Sequence, residues 1–479
     1  MDRIEFFRQI EQAIPRDRMP DIEKAVAFAE KAHSGHRRLT GEEYVEHPLR
    51  IALILADWKL DSETIIAGIL HDVIEDSDFQ AEDIRKEFGK NVTFLVEGVT
   101  KLGRLVYQGR ERYAESLRKL FIAMSSDVRV IMIKLADRLD NIKTVSVFNK
   151  EKRTRIARET LEIYASIANR LGMGEVRGQL EDLAFPIAFE KDYQRLKETV
   201  SETYEQQQKY VKKIIPYLKK LLNDAGITVV DIHGRAKKLY SLYKKLQKYD
   251  HDLSRIHDLV AVRIVVPDVA SCYMALGAIH GEFTPIKGRI KDYIAQPKPN
   301  GYRSLHTDIF GLDNKIVEIQ IRDSEMHHAA EYGIAAHWHY VETGKPKKGT
   351  PVKKRLEWIH DLIQWQKSMQ DNDKYIQGLR IDVFRNRIFI FTPGGDVIDL
   401  PENATALDFA YEIHTDLGNH ASQAKINEKI SKLTASLQNG DIVEIIEDKH
   451  RKGPARDWLP FVQTEKARSA INGWLRKQQ

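Results

Sequence analysis

The spacing of apolar residues changes near residue 225, and that change constrains the fold more than any other feature of the chain. Before it, Ile51 and Leu55 recur four apart, as do Ile65 and Ile69, and residues 151–167 form a second long helical pattern. Side chains four apart share one face of a helix. Gly and Pro are sparse here and fall between the periodic segments. After residue 225, Ile227–Ile232, Leu259–Val266 and Ile316–Ile321 are β-branched runs, separated by helical patterns such as Lys237–Tyr249. That mixture reads as α/β or α+β. The chain therefore joins an all-α part to a mixed part, and its 479 residues leave room for two to four domains.

A third unit is expected over residues 380–448. Short strands are predicted at Asp382–Val383, Arg387–Phe391, Val397–Leu400 and Ile442–Ile446. Pro393-Gly394-Gly395-Asp396 and Asn439-Gly440-Asp441 are turn signals. Thr405 and Asp408 have capping-box spacing ahead of an apolar run, so a helix should follow. Together these suggest a small α+β, β-grasp-like module. Residues 344–354 form a basic linker containing Pro and Gly, with a helix resuming near Arg355. The tail, 449–479, is basic and helical at its end. No internal repeat is present.

Composition excludes several classes. Apolar residues make up 42%, enough for buried cores, and 75 Lys and Arg against 70 Asp and Glu leave a formal charge of only +5. That excess does not by itself point to nucleic acid. The single cysteine, Cys272, rules out an internal disulfide and a thiolate zinc site, and reads as a small buried residue. Residues 1–10 are unlike a signal peptide. Stretches such as Ile51–Ala56 are too short to span a bilayer. The expectation is a soluble, cytoplasmic protein with no membrane association.

The first candidate site starts from a weak signal. His-Asp occurs four times, at 71, 251, 257 and 360, and alone means almost nothing. Only the first copy is followed one turn later by Glu75 and Asp76 and preceded by an apolar helix. On a continuous helix, His71 would stack with Glu75, and Asp72 with Asp76. His47 lies upstream, just before Pro48. Asp137 and Asn141 lie one turn apart on a later apolar helix. His47, His71, Asp72 and Asp137 offer two nitrogens and two carboxylates, a donor set suited to Mn²⁺ or a similar ion. Glu75 and Asp76 would orient or deprotonate water.

In chain order, residues 33–47 (HSGHRRLTGEEYVEH), His71–Asp76, Gly98–Leu102 and Lys134–Asn141 resemble the hydrolase domain of the RelA/SpoT family, an HD-type phosphohydrolase. The resemblance implies Mn²⁺-dependent removal of the 3′-pyrophosphate of guanosine tetra- or pentaphosphate, (p)ppGpp. It implies His47, His71, Asp72 and Asp137 as ligands, Glu75 and Asp76 as the catalytic acids, and Arg37 and Asn141 as nucleotide contacts. One departure is Asp140, where the family usually has His. It is expected to neighbour the site without being a ligand.

The second candidate site gathers cations, rings and strand carboxylates. Arg235, Lys237, Lys238, Ser241 and Lys245 form one group, and Arg289, Lys291, Lys298, Asn300, Tyr302 and Arg303 another. Phosphoryl transfer needs positioning and charge neutralisation rather than covalent help. Alternation in Ile316–Arg322 puts Val317, Ile319 and Ile321 on one face and Glu318, Gln320 and Arg322 on the other. Asp258 sits at the entry to a neighbouring strand. Two such carboxylates could hold Mg²⁺, or one could take a proton from a hydroxyl nucleophile.

Residues 225–340, with Ala329–Trp338, resemble the synthetase domain of the same family, which has a nucleotidyltransferase-like fold. The implied reaction moves the β,γ-pyrophosphate of ATP to the 3′-hydroxyl of GDP or GTP. The resemblance makes Asp258 a Mg²⁺ ligand and Glu318 a Mg²⁺ ligand or base. Tyr302 would stack on guanine and Arg235 on adenine. Lys237, Lys245, Lys291, Asn300 and His306 would contact phosphates or ribose, with Ser241, Arg289 and Gln320 among the nucleotide-binding set. Arg289–Asp292 matches the basic loop of bifunctional members. Ala236 and Lys238 depart from the usual Pro and His.

Residues 388–446 resemble a TGS domain, through Phe391–Asp396, Leu407–His414 and Asn439–Asp441. In ribosome-associated members the equivalent of His414 contacts the tRNA 3′ end, so deacylated tRNA and the ribosome are candidate partners.

The resulting organisation is an all-α HD-type hydrolase domain (1–175), a helical linker (176–224), an α/β synthetase domain (225–343), a partly helical linker (344–379), a TGS domain (380–448) and a basic helical tail (449–479). The expected function is a bifunctional alarmone enzyme. The alternatives are a hydrolase whose synthetase half only senses nucleotide, and a catalytically quiet tRNA- or ribosome-binding regulator. Oligomeric state, and GDP against GTP preference, are not readable from the sequence.

Overall fold

The computed structural model describes residues 2–103, 110–248, 260–298, 300–335, 359, 387–438, 440–448 and 450–477. The chain divides into two compact units, Met1–Leu105 with Lys119–Leu356, and Val106–Arg118 with Glu357–Gln479.

The first unit begins with α1 (Arg3–Glu11), α2 (Met19–Ala32), α3 (Glu46–Asp57), α4 (Ser62–Leu70), the single turn α5 (Val73–Asp76) and α6 (Ala81–Gly103). Beyond α7 (Arg110–Ser126) come α8 (Arg129–Lys143), α9 (Lys150–Glu159) and α10 (Ala165–Arg170). α4 is the axis of this helical part. The Asp61 carboxylate caps it, accepting from the Thr64 N–H at 2.9 Å, and Thr64 to Leu70 are all buried. A helix apolar on every side belongs in the middle, and α2, α3, α6 and α8 surround it. Gly68 makes room for α3. A Cβ there would sit 2.5 Å from Leu55 Cδ1.

Two further helices follow, α11 (Gly174–Ala188) and the 35-residue α12 (Glu190–Asp224). They occupy the segment expected to be a linker. α12 is more than a connection, because Tyr210, Val211, Ile214, Leu218 and Leu222 lie in one core with the sheet that comes next.

That sheet has five strands, β1 (Asp231–Ala236), β2 (Val260–Val266), β3 (Lys291–Asp292), β4 (Leu305–Phe310) and β5 (Ile316–Asp323). Its order is β1-β2-β5-β4-β3. Only β2 and β5 run parallel. α13 (Leu239–Lys248), α14 (Val269–Glu282) and α15 (Ser324–Tyr332) complete this part. The strand expected at Ile227–Ile232 begins only at Asp231, because Ile227 instead packs beside the end of α12.

Val317, Ile319 and Ile321 are buried as the alternation predicts, in one core with Ile214, Leu218, Cys272 and Ile279. The opposite face differs from expectation. Glu318 is half-exposed, but Gln320 is buried and Arg322 is 0% exposed. The cause is α15. Asp323 caps it, accepting from the Met326 N–H at 2.7 Å. Glu331 of α15 then binds Arg322 at 2.9 Å and Arg263 at 2.8 Å. The helix thus covers one end of the polar face and leaves the Glu318 end accessible.

The second unit contains the hairpin β6 (Arg387–Phe391) and β7 (Val397–Pro401), with its turn at Thr392–Asp396. α16 (Ala406–Ile413) follows with the expected capping box. Thr405 and Asp408 each accept from the other's backbone N–H. α17 (Thr415–His420) leads to β8 (Ala421–Ile426), β9 (Lys429–Ser431) and β10 (Val443–Glu447), in the order β10-β8-β9. The tail helix α18 (Glu465–Lys477) packs on this module. Ala467 and Ile471 share its core, and Asp408 Oδ1 accepts from the N–H groups of Gln463 and Thr464 at 2.8 and 2.7 Å. The expected strand at Asp382–Val383 and the linker helix from Arg355 lie outside the described residues, apart from Ile359. Among the described residues no helix is long and apolar enough to cross a membrane.

Candidate active sites

The first site forms where α3, α4 and α8 meet. His47 lies in the first turn of α3, His71 caps the C-terminus of α4, and Asp137 lies within α8. Ligand atoms of these three buried residues all lie within 4.8 Å of one another. Asp72 borders the group, 3.1 Å from His71 Nε2 and 3.8 Å from His47 Nε2. His47 Nε2 is 3.3 Å from Asp137. The four residues expected to act together are therefore brought together.

The chain does not run through this site as one helix, however. α4 stops at Leu70 and α5 starts at Val73, with Asp72 at ψ −5°. His71 explains the stop. Its Nδ1–H donates to the Gly68 carbonyl at 2.8 Å, the carbonyl a continuing helix would offer to the Asp72 N–H. A carbonyl only accepts, so the proton is on Nδ1 and the lone pair on Nε2. That Nε2 is buried and makes no hydrogen bond, as an imidazole suited to a metal should.

His47 is oriented likewise. Its Nδ1–H donates to the Asp140 carboxylate at 2.7 Å. Burial would lower its pKa, but Asp137 and Asp140 outweigh burial and push it up to about 9. Burial likewise opposes the charge on Asp72 and Asp137, yet their histidine neighbours, and Lys134 for Asp137, hold both below the usual carboxylate range. Lys134 Nζ donates to Asp137 at 2.6 Å.

Glu75 is half-exposed, and burial together with the charge of Asp72 raises its carboxyl above the ordinary value. The Tyr44 hydroxyl lies 2.6 Å from Asp76 and 3.0 Å from Asp72, bridging the two. Asn141 donates to Asp137. Arg37 is exposed and donates to the Gly41 carbonyl at 2.7 Å. The next residue, Arg38, turns inward and reaches Asn141 Oδ1 at 2.6 Å. Sequence reasoning did not single out Arg38, Tyr44 or Lys134. Tyr44 and Lys134 each stand three residues before a ligand candidate, which is the signal that could have found them.

The second site lies on the open end of the sheet's polar face. His306 on β4 stands beside Gln320 on β5. Its Nδ1 is 2.8 Å from Glu318 Oε1 and its Nε2 2.8 Å from the Tyr302 hydroxyl. Tyr293 packs edge-on against both rings. Lys298 Nζ lies 4.5 Å from the Tyr293 centroid and 5.0 Å from that of Tyr302. Burial, with help from Lys291, depresses Lys298 to about 8. Burial also pushes His306 below its ordinary value, while Glu318 pulls the other way.

The other expected contacts are spread more widely. Arg289 and Lys291 are exposed. Asn300 Oδ1 accepts from the Tyr302 N–H at 3.2 Å, and its amide donates to the Asn169 carbonyl at 3.4 Å. Ser241 donates to Glu181 of α11 at 3.3 Å. Lys245 lies on α13, half-buried. Arg235 is paired through its backbone with Ala261. Asp258 lies outside the described residues. A cavity of about 870 Å³ lies at the β1–β2 end of the sheet, lined by Lys237, Lys238, Arg263 and Lys197 and by the carboxylates Glu175, Asp182 and Glu331. Its size suits a nucleotide, although Asp182 and Glu331 already engage Lys238 and Arg263. Arg263 was not anticipated, since an arginine inside a β-branched run carries no motif of its own.

Comparison with known proteins agrees with both halves. Residues 25–174 match the HD domain, 234–345 match a region found in RelA/SpoT proteins, and 388–447 match the TGS domain. The chain is 43% identical over 472 residues to a GTP pyrophosphokinase of Streptomyces coelicolor, covering 95% of this chain and 56% of that one. It is 40% identical over 468 residues to the bifunctional (p)ppGpp synthase/hydrolase SpoT of Escherichia coli, covering 98% and 66%.

The chain belongs to the RelA/SpoT family.

A third family member, from Aquifex aeolicus, is named a guanosine-3′,5′-bis(diphosphate) 3′-pyrophosphohydrolase and is 43% identical, covering 96% of this chain and 65% of that one. The chain spans between 56% and 66% of the length of these RelA/SpoT relatives. The HD match and the His47–His71–Asp137 cluster agree on a divalent-metal site in the helical part.

Proposed function

We propose that this chain both makes and breaks (p)ppGpp. The RelA/SpoT part would transfer pyrophosphate from ATP to the 3′-hydroxyl of GDP or GTP, and the HD part would hydrolyse the 3′-pyrophosphate. One observation carries the reading. A buried His–His–Asp cluster in the HD region and a Tyr–His–Glu chain in the RelA/SpoT region occur in one polypeptide. Relatives named for each activity, and one named for both, support it.

In the hydrolase, His47 and His71 through Nε2, with Asp72 and Asp137, would hold the ion. Mn²⁺ suits two imidazoles and two carboxylates. Bound there, it supplies Lewis acidity toward water and a phosphoryl oxygen. Glu75, with its raised carboxyl, is suited to take a proton from the attacking water and return it to the leaving ribose oxygen. Asp76 is oriented by Tyr44. Arg37 and Asn141 would contact the nucleotide.

In the synthetase, Tyr302 would receive guanine, with Lys298 beside its ring to face the phosphates. His306 and Glu318 lie within hydrogen-bond reach of each other. Glu318 would either help Asp258 hold Mg²⁺ or accept the 3′-hydroxyl proton. ATP would take the cavity lined by Lys237 and Arg263, with Arg235, Ser241 and Lys245 nearby in sequence. Gln320, Lys291, Arg289 and Asn300 complete the proposed nucleotide set. His414 is exposed and accepts from the Asp416 N–H at 3.2 Å. This leaves its other nitrogen to a partner such as the tRNA 3′ end. We assign the protein to the cytoplasm.

A second reading has one observation in its favour. Lys238, a departure from the family pattern, is engaged by Asp182 of α11 at 2.6 Å, and Ser241 by Glu181. An ATP segment held this way could sense nucleotide without turning it over. The test is to incubate the protein with ATP, GDP and Mg²⁺, and separately with guanosine tetraphosphate and Mn²⁺. Both products are expected. Hydrolysis without synthesis would favour the sensing reading, and neither would refute both.

A further inference from the structure

The metal candidates account for His47, His71, Asp72 and Asp137 but not for the buried carboxylate behind them. Asp140 is only 1% exposed. Its Oδ2 lies 2.7 Å from His47 Nδ1. Arg50 donates to it twice, from Nε to Oδ1 at 2.8 Å and from Nη2 to Oδ2 at 3.1 Å. A carboxylate gripped by a guanidinium stays ionised and can only accept. His47 therefore presents Nδ1–H to Asp140, and Nε2 is the nitrogen turned to Asp72 and Asp137.

Arg50 does not depend on Asp140 for its charge partner. Its two Nη groups also donate to both oxygens of Glu42, at 2.9 and 2.8 Å. The arrangement is thus a relay in which Glu42 and Arg50 anchor Asp140, and Asp140 anchors His47. The other candidate ligand, His71, is backed only by a neutral carbonyl. A carboxylate behind an imidazole fixes its tautomer and strengthens it as a donor.

We infer that Asp140 is a positioning residue of the hydrolase centre, which holds His47 with Nε2 turned to the cluster and thereby raises the affinity of the cluster for a divalent cation. The inference rests on the proposed metal-holding role of His47, His71, Asp72 and Asp137.

The test titrates Mn²⁺ into the metal-free 479-residue chain by calorimetry. D140N is expected to weaken Mn²⁺ binding by about 10- to 100-fold, with kcat near wild type once Mn²⁺ saturates, and D140E should recover part of the loss. D140N with wild-type affinity would overturn the inference and leave the metal site standing. A wild-type protein that takes up no Mn²⁺ would overturn the site itself. One arm needs no variant. In wild-type protein loaded with Zn²⁺ as a diamagnetic probe, ¹⁵N NMR should find a proton on His47 Nδ1, and a bare Nδ1 would refute the role even if D140N failed to fold.

Discussion

His47 and His306 each place Nδ1 beside a carboxylate, at 2.7 and 2.8 Å, and each lies in a site proposed to handle phosphates. Their protonation is nevertheless pushed in opposite directions. His47 rises to about 9 despite burial, because Asp137, Asp140 and Asp72 surround it. His306 falls below 6.5, because burial is joined by Lys298 and Lys291 and opposed by Glu318 alone. The first site gathers negative charge and suits a cation. The second gathers positive charge and suits phosphates directly. On the proposed reading, one chain would bind closely related nucleotides in two ways, through an ion in one place and through its own cations in the other.

The strongest test of this contrast is to remove one carboxylate from each site. Asp72→Ala should abolish hydrolysis and leave synthesis in place. Glu318→Gln should do the reverse, with synthesis falling about 10²- to 10⁴-fold if Glu318 is the base. Both activities are followed by nucleotide chromatography. Loss of both from either change would mean that the sites are not separable.

A smaller effect is expected at the ring proposed to face the base. Tyr302→Ala should raise the KM for GDP about tenfold, since base stacking on an aromatic side chain is worth ~1–3 kcal/mol. Hydrolysis should be unaffected. A change in kcat alone would argue that Tyr302 serves His306 rather than the nucleotide.

The cationic character of the second site also predicts a pH response. Lys298 is charged below about pH 8 and neutral above it. Nucleotide affinity for the synthetase should therefore fall as pH rises from 7 to 9. Calorimetry with GDP would check this, and a flat profile would remove Lys298 from the phosphate-facing set.

Glu181 links α11 to α13, meeting Arg177 of its own helix and Lys244 of α13 at 3.1 Å each. Although burial opposes its charge, these cations hold its carboxyl below the ordinary 4.5. Its stabilisation is therefore present above pH 4.5 and is lost as pH falls through the lower folded value. Glu181→Gln should cost about 1–3 kcal/mol, read as a lower melting temperature at pH 7. The mutant and wild type should converge in acid. The smallest expected effect is in the TGS module, where Thr405→Ala removes a helix cap worth ~1 kcal/mol.

Sequence reasoning reached the candidate groups because the chemistry proposed for them restricts residue type and spacing. The pairs His71-Asp72 and Glu75-Asp76 are legible for that reason, as is the alternation through Glu318. What surrounds them is less legible. The break between α4 and α5 depends on one side chain capturing the Gly68 carbonyl, which no periodicity records. Arg322 reads as a solvent-facing residue until α15 covers it. Strands β8 and β9 were not anticipated, since Ala421–Ile426 is poor in β-branched residues and gains its strand character from pairing with β10. The preference for Arg38 over Arg37 at Asn141 turns on which way a loop residue points. In each case the deciding contact joins residues whose relation appears only once the chain is folded.

α12 has a practical consequence for anyone wishing to study synthesis in isolation. Its buried side chains Val211, Ile214, Leu218 and Leu222 form the back of the sheet. A fragment begun at residue 225 would expose that apolar surface to water and should be recovered as aggregate. A fragment begun at Glu190 would keep its lining and stands a better chance of purification.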